Sequence, residues 1–333
     1  MVPSPWLGLN YNSLPSGGRL DEFAARGIAL DREGELEPRA GALALPGSVL
    51  GRGLERAVGA GMVPDVQVDT AEGVRACTYN PDPAHFCLPT TSAGINAFVT
   101  GFVRTAQSAR RRFPHTRILF EPTDEPWSWG MPPRSISGYP AAAQFATILA
   151  RLFPAVARAR DPSLPLQDIY VPATGRLEDG SRWVPDLYRA EPCLRPAANT
   201  CGPIQGWNAH PYGLPGHLSE GIDSLPGLRR EMLSGNGNVI ASELGFCAMD
   251  VEHGRFCSQN RDIAGSSVQV SGWLRETLAR AWTMHRQGWL RAVLVWARSA
   301  GGWSMELPSG ELTAQGRVLE EFARRGRSGE ASA

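Results

Sequence analysis

Two short stretches place carboxylates where a folding chain seldom puts them. "FEPTDEPW" (Phe120–Trp127) sets Glu121, Asp124 and Glu125 at the end of an apolar run, and "VIASELGF" (Val239–Phe246) carries Glu243 near the end of another. Alternation from Ile118 puts Leu119, Glu121, Thr123 and Glu125 on one side of a strand, so at least one glutamate is expected to be shielded from bulk water. Two carboxyl groups flanking one acetal can cleave it: one protonates the leaving oxygen, and the other attacks the anomeric carbon or activates water. Glu125 and Glu243, 118 residues apart, fit those roles. Glu121 lies deeper in its strand and reads as a structural carboxylate, held by an arginine or a backbone donor.

Positioning such a pair is the task of the fold. Strand-like runs ("WLGLNYN", "GIALDRE", "MVPDVQVDT", "TRILFEPTDE", "DIYVPATG", "IQGWNAHPY", "NVIASELGF", "RAVLVWARS") alternate with amphipathic helical ones, among them 93–112, 141–160, 268–287 and 312–325. Eight strands alternating with helices predict an α/β fold, a parallel (β/α)₈ TIM barrel, with an open doubly wound sheet as the alternative. No composition break marks a linker, so residues 1–326 are expected to form a single catalytic domain and 327–333 a disordered tail. The polar strand ends then converge on one face: Asn10, Asp31 and Arg32, Asp69, Asp124 and Glu125, His210 and Tyr212, Glu243, and Trp296. Arg32 is a candidate to orient Glu243, Asn10 to meet substrate, and Trp127, Trp129 and Trp303 to form outer platforms for an apolar sugar face.

Composition narrows the partners. Basic and acidic residues number 33 each, so nothing draws the chain to nucleic acid or an anionic membrane, and a neutral ligand is expected. Every basic residue is arginine, which excludes a lysine Schiff base and a P-loop lysine. The sequence has neither a GxSxG elbow nor an HExxH helix, and its six histidines lack metal-ligand spacing; the proposed chemistry needs no metal or cofactor. Six cysteines fall as three close pairs, predicting local disulfides 77–87, 193–201 and 247–257 and hence an oxidising, extracellular or periplasmic setting. The start "MVPSPWLGLNYN" lacks a signal segment, as expected of a chain from which one has been removed. No apolar run is long enough to span a bilayer.

Taken together, the strand ends resemble the clan A retaining glycoside hydrolases, with families 5 and 39 the nearest likenesses. "FEPTDEPW" is similar to the family 5 pattern Phe-Glu-x-x-Asn-Glu-Pro, which implies the acid/base role for Glu125, and "VIASELGF" resembles the nucleophile strand, which implies that role for Glu243. "NAHPYG" resembles the His-x-Tyr segment of the sixth strand, implying that Tyr212 hydrogen-bonds the nucleophile and that His210 faces substrate. Trp296 matches the tryptophan beneath the sugar. One position departs: Asp124 stands where the family has asparagine, and an ionised carboxylate accepts hydrogen bonds where an amide can donate them. The resemblance implies double displacement on an O-glycosidic bond of an oligo- or polysaccharide, leaving glucosidic, xylosidic, mannosidic and arabinofuranosidic linkages open. A catalytically silent carbohydrate-binding barrel and a transglycosylase are the alternatives.

Overall fold

The computed structural model describes residues 6–11, 20–69, 88–126, 139–159, 168–174, 182–198, 200–202, 204–218, 220–232, 238–249, 261–297, 302–307 and 309–328. Eight parallel strands alternate with eight helices among them. The strands are β1 (Leu7–Tyr11), β2 (Leu30–Glu33), β3 (Val63–Val68), β4 (Leu119–Pro122), β5 (Tyr170–Ala173), β6 (Gly206–Ala209), β7 (Val239–Leu244) and β10 (Leu290–Ala297); two-residue strands β8 (Cys247–Ala248) and β9 (Ala264–Gly265) pair beside the barrel's main sheet. The helices are α1 (Leu20–Arg26), α2 (Val49–Gly59), α3 (Ser92–Arg112), α4 (Tyr139–Arg158), α5 (Trp183–Ala190), α6 (Leu225–Glu231), α7 (Ser267–Arg286) and α8 (Ala314–Ser328). Side-chain caps fix several starts: Ser48 and Thr91 accept from Gly51 and Gly94 N–H, and Ser266 with Gln269 forms a capping box.

The sheet runs β4-β3-β2-β1-β10-β7-β6-β5. Its two edges meet where Phe120 N–H donates to the Asp168 carbonyl at 2.9 Å, beside a parallel bridge from Phe120 to Ile169, so the sheet is a nearly closed (β/α)₈ barrel. Outward residues such as Leu7, Leu9, Val66, Val68 and Val293 pack under the helices in one continuous apolar shell. Inside the barrel a second, smaller cluster forms a floor from Leu30, Leu119, Tyr170, Ile240, Ala292 and Leu294. Gly8 and Gly206 make room for it, since a Cβ on either would lie 2.6 Å from Leu30 Cβ or 2.5 Å from the Tyr170 ring.

One disulfide is found among the described residues where three were expected. Cys193–Cys201 ties the segment between α5 and β6, with Cα atoms 5.3 Å apart, on the side of the barrel where β6 begins. Cys247 is also disulfide-bonded. Cys77, Cys87 and Cys257 lie outside the described residues, and with them the other two expected pairings. α8 continues to Ser328, past the expected start of the tail, and 329–333 lie outside the described residues. No helix among the described residues is long and apolar enough to cross a membrane.

Candidate active site

Two departures from regular strand geometry build the site. On β7, Val293 of β10 pairs with Ala241 while Val295 pairs with Leu244, so β7 carries one extra residue at Ser242–Glu243. Strict alternation would send these neighbours to opposite faces; the bulge turns both toward the barrel axis. On β4 the regular strand stops at Pro122. Thr123 (φ 69°) and Glu125 (φ 27°) then take left-handed backbone conformations that non-glycine residues seldom adopt. That turn ends the alternation read from the sequence and brings Asp124 as well as Glu125 into the cleft. Asp69 at the end of β3 anchors it by accepting the Asp124 backbone N–H.

Arg32 of β2 stands at the centre, fully buried. Its Nη1 lies 3.0 Å from Glu243 Oε1 and donates to Ser242 Oγ at 3.0 Å, while its Nη2 is 3.5 Å from Asp124 Oδ1 and 3.7 Å from Glu121 Oε2. Arg32 thus contacts Glu243, for which it was a candidate to orient, and Glu121, for which an arginine or a backbone donor was expected. Tyr212 O–H donates to Glu243 Oε2 at 3.0 Å. His210 differs from expectation: its side chain is only 2% exposed, with Nδ1 2.9 Å from Glu125 Oε1 and 3.6 Å from Glu243 Oε2, so it is turned to the carboxylates and not to the open cleft. Burial lowers the imidazole's affinity for a proton, but Glu243, Glu125 and Asp124 outweigh that and raise its pKa to about 9.

Beneath this layer Asp65 of β3 and Glu121 of β4 are fully buried against each other. Burial holds both carboxyls above the usual range, with Arg32 opposing. Asp124 is also held well above the usual range, by burial of its inner face and then by Glu243, against His210 and Arg32. Asn10 donates to the Ser242 carbonyl at 3.4 Å, which makes it a support of β7. Trp296 closes β10, half-buried, with the Trp303 ring edge-on at 4.7 Å. Trp127 and Trp129 lie outside the described residues.

Asp124, His210 and Glu243 present donor atoms within 4.8 Å of one another, a spacing that suits a cation. Arg32 already lies against two of them and supplies positive charge there. The sequence reading missed Ser242, Asn208 and Asp65. Asn208 shares its face with His210 two residues on, and Ser242 shares its face with Ile240 two residues back, which were the available signals; it is Glu243 whose inward direction depends on the bulge.

Known structures share this architecture. A fungal beta-1,4-galactanase superposes with a TM-score of 0.61 at 15% identity, over 96% of this chain and 99% of its own. A family 39 glycoside hydrolase from the gut symbiont Bacteroides cellulosilyticus WH2 gives 0.62 at 14% identity, over 98% of this chain and 64% of its own. An exo-beta-1,4-mannosidase from Opitutaceae bacterium strain TAV5 gives 0.59 at 15%, over 98% and 60%. The chain shares the fold of these glycoside hydrolases. It spans less than two thirds of the last two, and at such identities the likeness is one of fold. No family model and no curated protein matches the sequence.

Proposed function

We propose that this barrel is a retaining glycoside hydrolase in which Glu243 attacks the anomeric carbon and Glu125 acts first as acid, then as base for the incoming water. The observation that carries the reading is the single imidazole between the two carboxylates. With His210 Nδ1 at 2.9 Å from one and 3.6 Å from the other, their facing oxygens are no farther apart than those two contacts laid end to end. That span reaches at most the lower edge of the roughly 6.5–9.5 Å of an inverting pair and accommodates the roughly 5–5.5 Å of a retaining one. Arg32 and Tyr212 hold and aim Glu243, as a nucleophile requires. Glu125, beside an imidazole that can hold a proton, is suited to give one up and take it back.

The substrate in this reading is an oligo- or polysaccharide, and the enzyme works outside the cytoplasm. Glu125→Ala tests it: hydrolysis of natural linkages should fall by about 10²–10⁴-fold, while aryl glycosides with leaving groups that need no proton should be spared. The wild-type product should keep the anomeric configuration by NMR. Inversion would exclude double displacement. Inactivity of the wild type across aryl glycosides and polysaccharides would favour a silent carbohydrate-binding barrel, for which Asp124 is the supporting feature.

A further inference from the structure

Ser242 and Asn208 are both buried, and the double displacement proposed for Glu125 and Glu243 assigns neither of them a part. Their shorter hydrogen bonds select one arrangement of protons. The Ser242 backbone N–H can only donate, and it faces Asn208 Oδ1 at 3.4 Å, which fixes the amide with its oxygen toward β7. That oxygen lies 2.6 Å from Ser242 Oγ, so the hydroxyl proton points to it. Arg32 Nη1 donates into the same hydroxyl at 3.0 Å. With its one proton committed, Ser242 Oγ can only accept from the third neighbour, His210 Nε2, at 3.1 Å. His210 therefore carries a proton on Nε2; the Asn208 amide N–H, which would need Nε2 as an acceptor, makes the longer approach at 3.4 Å.

We propose that Ser242 and Asn208 are positioning residues that lock His210 in its Nε2–H form, so that His210 Nδ1 and Glu125 Oε1, 2.9 Å apart, share the single proton delivered to the leaving group. The proton moves between Oε1–H···Nδ1 and Oε1⁻···H–Nδ1⁺, and nothing else changes charge. The imidazole then serves as the acid's reservoir. Charged and titratable groups reach it from each strand around it: Arg32 on β2, Asp65 on β3, Glu121, Asp124 and Glu125 on or after β4, Tyr212 after β6, and Glu243 on β7. If the hydroxyl of Ser242 were free to turn, it would donate to Nε2, the neutral ring would carry its proton on Nδ1, and Glu125 would be left a carboxylate.

The inference rests on Glu125 as the acid/base, and two separate measurements keep the claims apart. Nitrogen-15 spectra of the histidine-labelled wild type, with the signal assigned by its loss in His210→Gln, should show His210 protonated on Nε2 across the pH range. A neutral ring protonated only on Nδ1 would overturn the lock, whatever the role of Glu125. In pH profiles of kcat/KM, Asn208→Ala frees the Ser242 hydroxyl and should move the alkaline limb down by about one unit. Asn208→Asp places a carboxylate near Nε2–H and should move the limb up by about one unit. Movement in the same direction, or none, would overturn the proposal, since a merely structural role has no reason to split the two variants. The leaving-group test on Glu125→Ala fails or succeeds independently of these results.

Discussion

The floor and the upper layer of the barrel interior are built from the same strands, two residues apart, and they differ in almost every physical respect. Leu30 is followed by Arg32 on β2, Leu119 by Glu121 on β4, Ile240 by Ser242 on β7, and Gly8 by Asn10 on β1. The lower member of each pair brings no polar side-chain atom, filling space or, at Gly8, making room for Leu30, while the upper one brings a charge or hydrogen-bonding group into the same shielded volume. One strand period separates the part of the barrel that stabilises from the part that would react. Substitutions on the two levels should therefore fail in different ways.

The largest effect is expected in the upper layer. Glu243→Gly removes the proposed nucleophile and should lower turnover by at least about 10⁴-fold with little loss of stability. Azide should restore activity on an activated aryl glycoside, with the product inverted. Retained activity without azide would take the nucleophile role from Glu243.

Arg32→Met should break the comparison, because here an upper-layer residue also supports the fold. The guanidinium lies amid Glu243, Asp124, Glu121 and Asp65, and its loss leaves these carboxyls without that partner in a buried volume. A loss of about 3–5 kcal/mol in urea unfolding at neutral pH is expected, shrinking in acid as the carboxyls become neutral. An equal penalty at both pH values would mean that packing, and not charge, is what Arg32 contributes.

Leu119→Ala is the converse test in the floor. It should cost about 2–5 kcal/mol through lost burial and the cavity left behind, with kcat/KM of the folded fraction nearly unchanged. A collapse of activity at temperatures where the variant is folded would show that the floor shapes the cleft.

The barrel was legible in the sequence because parallel strands covered on both faces leave continuous apolar runs, and all eight runs became strands. Glu125, Glu243, Arg32 and Tyr212 were legible as polar residues at the ends of such runs. Hidden were the features that break a period. The extra residue in β7 places Ser242 and Glu243 on one side, and the left-handed turns at Thr123 and Glu125 place Asp124 beside Arg32; alternation predicts neither. His210 was assigned to the cleft because its burial depends on contacts from three other strands. Asp65 was passed over because an acid in a strand interior has meaning only once a partner such as Glu121 is seen across the barrel.

The smallest expected effect follows from the protons that the upper layer retains. Burial, reinforced by Glu37 and opposed by Gln67, Arg32 and the Asp124 N–H, raises the Asp69 carboxyl to about 7. His210 is raised to about 9, and Asp65, Glu121 and Asp124 are raised as well. Each binds its proton more tightly folded than unfolded. Its contribution to stability is therefore fully present below the unfolded pKa and is lost as pH rises through the folded value. For Asp69 the loss runs from about 4 to about 7, and for His210 from about 6.5 to about 9. Among the histidines with a resolved shift, His285 runs the other way: burial lowers its pKa, so its contribution is present above its unfolded value and lost in acid. The urea midpoint should be highest on the acid side and decline toward pH 9, with a slope of up to about 1.4 kcal/mol per pH unit for each proton released. Asp69→Asn keeps the side chain's size and carbonyl acceptor but cannot ionise, so it should flatten the decline between about pH 4 and 7 and leave the part above 7 in place. A midpoint that rises from pH 5 to 9 would mean that these carboxyls are ionised and paired in the folded protein, and that the upper layer is held by charge pairs and not by retained protons.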